Sequence, residues 1–287
     1  MSAATLGAQL TDGLRELHLP AIRECFEEEA RRARAESAAY EAYLLELVNR
    51  EREARRANRV KRLLLESHLA LEKTLASFEM ERLPRGVAAQ VQVLVEGSFL
   101  ERHENVLVFG PPGAGKSHLQ CAIAQELVQR GHRAFFTTCE LLVQELLVAK
   151  RDLRLARALK RFRRYVPLVI DDIGYVQQNR DEMEVLFSLL ADRYERASVM
   201  LTSNLPFSQW EKIFKDPMTT AAAIDRVVHH SVILELNLPS YRLERSTAKG
   251  VRDALGTKGA DPGSRSKSDA RPTRRERPRK GAAKDAA

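Results

Sequence analysis

The pattern of apolar positions changes character once along the chain. From about Leu6 to Glu81 apolar residues recur at helical spacing, as in Tyr40, Leu44, Leu47 and Val48 and again in Val60, Leu64 and Leu71. Charges of both signs fill the gaps, and no heptad pattern or internal repeat is sustained. From Glu104 onward short apolar runs alternate with amphipathic stretches. Strands are predicted over Asn105–Phe109, Arg133–Thr137, Pro167–Asp171, Ser198–Thr202 and Val232–Leu236. Helices are predicted over Lys116–Arg130, Leu141–Lys150, Arg154–Arg164, Glu182–Arg196 and Ala221–His229. Alternation at these lengths calls for a mostly parallel five-stranded sheet with helices on both faces. The predicted organisation is a helical N-terminal domain over 1–81, a linker over 82–99, an α/β domain over 100–247 and a tail over 248–287.

Charge sharpens the last boundary. The net charge of the 287 residues is +8, yet twelve Lys/Arg and five Asp/Glu between Lys249 and Ala287 supply +7 of it. A tail rich in Arg, Lys, Pro, Gly and Ser buries too little apolar surface to offset its chain entropy and is expected to be disordered. It reads equally as a solvated tail or as a hold on polyanions. No apolar run approaches the roughly 18 residues of a membrane span, and Met1–Leu10 has no leader pattern, so a cytoplasmic location with no membrane partner is expected. Cys25, Cys121 and Cys139 match no metal or disulfide spacing and are expected as reduced thiols.

The chemistry concentrates at predicted strand ends. Gly110-Pro111-Pro112-Gly113-Ala114-Gly115-Lys116-Ser117 fits the phosphate-binding pattern G-x-x-x-x-G-K-[ST], follows an apolar strand and opens a helix that continues through His118. Its glycines let backbone N–H groups approach phosphate oxygens, Lys116 reaches the outer phosphates, Ser117 offers a hydroxyl to Mg²⁺, and the helix start adds its dipole. Val166–Asp172 is an apolar strand ending in two carboxylates. Asp171 suits the Mg²⁺ of Mg·ATP and Asp172 suits orientation of an attacking water. Asn204 ends a third strand. It reads either as a turn residue before Leu205-Pro206 or, beside the other two motifs, as a group that bonds the γ-phosphate or the water. Arg226 and Arg242 are candidates for phosphate contact. Lys150, Arg154, Arg157, Arg161 and Arg164 step by four and three, opposite an apolar face of Leu155, Leu159, Phe162 and Val166. That row is either a DNA-facing surface or a solvated helix face, and the same two readings hold for Arg50–Arg62. His103, His118, His229 and His230 form no recognisable ligand set, and Phe207 and Trp210 read as packing residues.

Taken together and in order, Gly110–Ser117, Val169–Tyr175, Arg193–Arg196, Thr202–Phe207 with Trp210, Ile213–Pro217, Ala223–Arg226, His229-His230 and Ser240–Arg242 resemble the IstB-like ATP-binding proteins. These are helper ATPases of insertion-sequence transposition, of the AAA+ class and related to DnaC-type helicase loaders. The resemblance extends to Leu17–Pro20 and Glu72–Phe78, and it spans roughly residues 10 to 247. It implies an AAA+ sheet in which the Asn204 strand lies between the P-loop strand and the Asp171 strand, without a full helical lid. It implies Asn204 as sensor 1, Arg226 as an arginine finger inserted into ATP on a neighbouring subunit, Arg242 as sensor 2, and the cationic row as part of a DNA path. The implied protein is a DNA-dependent ATPase that assembles on duplex DNA with little sequence preference and assists a cognate transposase, using ATP and Mg²⁺. Aspartate stands at 172 where many AAA+ proteins carry glutamate, which implies slow hydrolysis or a partner that completes the site. Three other readings share parts of the pattern: a DnaC-like helicase loader, a P-loop kinase of small metabolites, and a structural DNA-binding protein that uses ATP as an assembly switch.

Overall fold

The computed structural model describes residues 3–173, 180–210 and 217–241. Arg242, Arg245, the tail from 248, and parts of the quoted motifs at 174–175 and 213–216 lie outside the described residues. Three helices come first: α1 (Ala3–Glu16), α2 (Pro20–Ala35) and α3 (Tyr40–Ser67). Ile22, Phe26 and Leu47 form a small core between them. Glu51 of α3 accepts hydrogen bonds from the N–H groups of Ala21 at 2.9 Å and Ile22 at 3.3 Å, so it closes the N-terminus of α2. The helical pattern predicted to Glu81 stops early. His68 adopts a left-handed conformation at φ 57°, and Thr74 and Ser77 bond each other's backbone in a tight turn.

That turn is fastened to the helix that follows the phosphate loop, α6 (Lys116–Gln129). Gln125 Nε2 donates to the carbonyls of Ala70 and Lys73 at 3.0 and 2.9 Å. His118 Nε2 lies 3.2 Å from Ser77 Oγ and 3.1 Å from the Thr74 carbonyl. The segment 82–99 holds α4 (Arg85–Glu96) and the short α5 (Ser98–Glu101). Val91, Leu94 and Phe99 are buried against α6 and the sheet, so this stretch packs as part of the core.

The strands are β1 (Asn105–Phe109), β2 (Phe135–Thr138), β3 (Leu168–Ile173), β4 (Val199–Ser203) and β5 (Ser231–Glu235). All pairings are parallel and the order is β2-β3-β4-β1-β5. The β4 strand, which leads to Asn204, therefore lies between β1 and β3, as the family resemblance implied. Alternation sorts the side chains. Val106, Val108, Val169 and Met200 face α3, α4 and α6, whereas Leu107, Leu168, Ile170 and Leu201 face the other layer. That second layer is α7 (Cys139–Arg151), α8 (Leu155–Phe162), α9 (Arg180–Arg193) and α10 (Pro217–Val228).

One sequence-based expectation is corrected here. The four-and-three row from Lys150 to Arg164 does not run along one helix; Lys150 lies in α7, where the helix predicted over Leu141–Lys150 put it. Leu153 turns left-handed at φ 55° and separates α7 from α8, which ends at Phe162 before Arg164. Arg193 holds α8 to the sheet. It is buried and donates to the carbonyls of Phe162, Tyr165 and Ser198 at 2.7–2.9 Å. Burial pushes its pKa down to about 10. Trp210 and Phe207 pack on Phe109, as expected. Cys121 and Cys139 are buried and Cys25 is partly exposed, all three unbridged, and burial pushes the Cys121 thiol up to about 11. Among the described residues no helix is long and apolar enough to cross a membrane.

Candidate nucleotide site

Parallel strands deliver their C-terminal ends to one edge, and the polar motifs predicted there meet at it. The loop after β1 runs from Gly110 to Ser117. A side chain at Gly113 would drive its Cβ into Ser240 Oγ, and one at Gly110 would meet the Leu236 carbonyl at 2.5 Å. Glycine is thus required by close approach on both sides of the loop. Lys116 is buried at the start of α6. Its ammonium donates to the carbonyls of Gly110 at 2.8 Å and Pro111 at 3.0 Å, and also to Asn204 Oδ1. Ser117 Oγ donates to Asp171 Oδ1 at 2.7 Å, and Thr202 Oγ1 donates to the same oxygen at 2.6 Å. Asn204 Nδ2 donates to Asp172 Oδ1 at 2.9 Å, so one amide bridges the lysine and the second carboxylate. Asp172 has φ 64°, a conformation that costs an ordinary residue about 1–3 kcal/mol.

A cleft of about 210 Å³ opens beside the loop. One wall is the 73–82 turn, with Lys73, Phe78 and Arg82; the other is Leu238 and Tyr241. Tyr241 N–H donates to the Gly113 carbonyl at 3.1 Å, and the Arg82 guanidinium lies 5.3 Å from the Tyr241 ring centre. The His118 ring meets Phe78 edge-on at 5.2 Å. The sequence named the 72–78 stretch only as a point of family likeness, and in 240–242 it singled out Arg242 alone as a phosphate contact. The place of 72–78 as a cleft wall has no periodic signature, because that stretch is a run of turns and bends.

Arg226 stands in the last turn of α10. Its Nη1 is buried without a hydrogen-bond partner among the described residues, and its guanidinium lies 4.5 Å from the Phe187 ring centre. The helix leads into β5, whose Ser231 pairs with Asn105 at the start of β1. Arg226 is therefore placed toward the end of the sheet opposite its own phosphate loop, across a five-residue strand that spans about 16 Å. Glu195, His229 and His230 present ligand-type atoms within 4.8 Å of one another, all exposed, and the Tyr194 hydroxyl is 3.0 Å from His229 Nδ1.

The cationic row is divided in its pairing. Lys150 binds Asp181 at 3.1 Å and Glu184 at 2.9 Å, and hydrogen bonds to Glu184 and Asp181 hold its pKa above the ordinary lysine range. Arg161 pairs with Glu145 and lies 4.5 Å from the Phe162 ring centre. Arg154, Arg157 and Arg164 are exposed and carry no ion pair among the described residues.

A P-loop, paired carboxylates on β3 and an asparagine at the end of an interposed β4 define a P-loop nucleotide-binding protein of AAA+ strand order. The chain belongs to the IstB-like ATP-binding protein family, whose sequence model matches residues 12–249. An insertion-sequence ATP-binding protein of Sinorhizobium fredii is 41% identical over 250 residues, covering 87% of this chain and 82% of that protein. The IS21 ATP-binding protein of Pseudomonas aeruginosa is 37% identical over 212 residues, covering 74% and 80%. The crystal structure of DnaI shares the fold, with a TM-score of 0.50 at 19% identity over 59% of this chain and 95% of that one.

Proposed function

We propose that this protein is an ATP-driven helper of insertion-sequence transposition, which binds Mg·ATP, assembles on duplex DNA and assists a transposase. The observation that carries the reading is the meeting of Lys116, Ser117, Asp171, Asp172 and Asn204 at one sheet edge. Lys116 exchanges its carbonyl partners for the outer phosphates, and the loop N–H groups and the start of α6 hold the rest of the phosphate chain. Ser117 and Asp171 hold Mg²⁺; their hard oxygens, already within 2.7 Å of one another, fit that ion. Magnesium, when bound, offsets charge on the phosphate oxygens. Asp172 orients the attacking water, and Asn204 links it to the phosphate side. The cleft between Phe78, Arg82 and Tyr241 takes the nucleoside end. Arg242 is assigned to the same nucleotide.

Arg226 serves a neighbouring subunit. Its position toward the far end of the sheet supports action in trans, which ties turnover to assembly. Arg154, Arg157 and Arg164 supply the DNA contacts, joined by Arg161 once its acidic partner is exchanged for a phosphate, while Lys150 stays with Asp181 and Glu184. The insertion-sequence ATP-binding proteins of Sinorhizobium and Pseudomonas support the transposition role over a helicase-loading one. The test is complex size on plain duplex DNA with no nucleotide, ADP or ATP, beside Lys116→Ala. Large complexes with ATP and the wild type alone are expected. ATP binding that leaves DNA binding and size unchanged would overturn the reading, and phosphoryl transfer to an acceptor other than water would replace it with a kinase.

A further inference from the structure

The β3–β4 ladder slips at the two carboxylates. Ile170 pairs with Leu201 and Ile173 with Ser203, so three steps on β3 face two on β4. This is a β-bulge, which leaves one residue without a ladder partner and re-aims side chains. Asp171 and Asp172 occupy the bulge, and Thr202 is the residue of β4 opposite them. Thr202 is 1% exposed, and its hydroxyl is used twice. It accepts the Asp172 N–H at 2.7 Å, the amide that the slip removes from the ladder, and it donates to Asp171 Oδ1 at 2.6 Å. One hydroxyl thus satisfies the left-handed Asp172 amide and fixes the carboxylate oxygen that Ser117 also reaches. A valine of the same shape could do neither.

We infer that Thr202 is the positioning residue of the carboxylate pair. It sets Asp171 for magnesium and, through the backbone of Asp172, sets the second carboxylate against Asn204. The inference rests on the Mg·ATP reading of this site. Groups that orient a metal ligand from behind typically contribute ten- to a hundredfold to metal affinity. The sequence places Thr202 at the end of a predicted strand and the start of a family motif but gives it no role, because a threonine inside a strand has an ordinary β-propensity explanation. The bulge that gives it a role exists only in the pairing.

The experiment is a magnesium titration of fluorescent-ATP binding to the full chain, for wild type, Thr202→Val and Thr202→Ser, with thermal unfolding alongside. Expected is wild-type nucleotide affinity for T202V without magnesium, at least about a tenfold rise in the magnesium needed for tightened binding, and wild-type behaviour for T202S. A T202V protein with the wild-type magnesium dependence overturns the role. So does a T202S protein as defective as T202V, since the hydroxyl would then not be the agent. If T202V does not fold, Thr202→Cys keeps the size with a weaker donor and is read the same way. A wild type that binds ATP with no response to magnesium sinks the Mg·ATP reading itself, and this role with it.

Discussion

The nucleotide site and the cationic segment are assembled in opposite ways. Lys116, Asp171 and Asn204 are far apart in sequence and are brought into one hydrogen-bonded set by the strand order. Lys150, Arg154, Arg157, Arg161 and Arg164 are neighbours in sequence, yet the structure separates them into differently paired groups. Strand ends are fixed by the ladder, and every parallel strand delivers its C-terminus to the same edge. A helical row is fixed only while the helix lasts. Spacing on one helix is thus a weaker guide to a shared surface than separate motifs at the ends of several strands.

The largest effect tests the first half of that contrast. Arg226→Ala is expected to lower ATP turnover in the DNA-bound assembly by about a thousandfold, the lower range for an arginine finger. Nucleotide affinity of the isolated subunit should stay unchanged. A turnover assay paired with equilibrium binding reads both, and normal turnover would remove Arg226 from the site. Next in size, Lys116→Ala should weaken ATP binding by about a hundredfold, through loss of charge-assisted bonds to phosphate. Fluorescent-nucleotide titration measures it, and a loss below about fivefold would mean that Lys116 stays with its carbonyl and Asn204 partners when ATP is present.

Smaller effects probe the cationic segment. Replacing Arg154, Arg157 and Arg164 together by Ala should weaken binding to plain duplex about equally across sequences. The slope of log affinity against log salt should fall by about 0.9 for each phosphate that is no longer neutralised. An unchanged slope would make these arginines solvated surface. Lys150→Ala is the sharpest contrast within the row. Because Lys150 is held by Asp181 and Glu184, its loss should change the salt slope by less than about 0.3. A Lys150 effect equal to that of Arg157 would restore the continuous surface that the spacing suggested.

Much of this was legible in the sequence for a physical reason. A fully buried parallel strand is an uninterrupted apolar run, so β1 from Asn105 to Phe109 is bounded by its own polarity and β4 is displaced by a single residue. The phosphate loop, with its steric demand for glycine at 110 and 113, is equally readable. The cleft walls were not, because the turns at 72–78 and the irregular stretch at 236–240 leave no period. Nor was the fate of Lys150, whose partners lie about thirty residues away.

The tether between the 70–77 turn and α6 has a mechanical consequence. Gln125 and His118 fasten the end of the N-terminal helices to the helix whose first residue is Lys116. If a pull on α3 is carried through these bonds, it reaches the phosphate loop, and a stiffened loop resists it. A binding partner on the N-terminal helices and a nucleotide in the cleft would then report on each other in equal measure, each altering the other's affinity by the same factor.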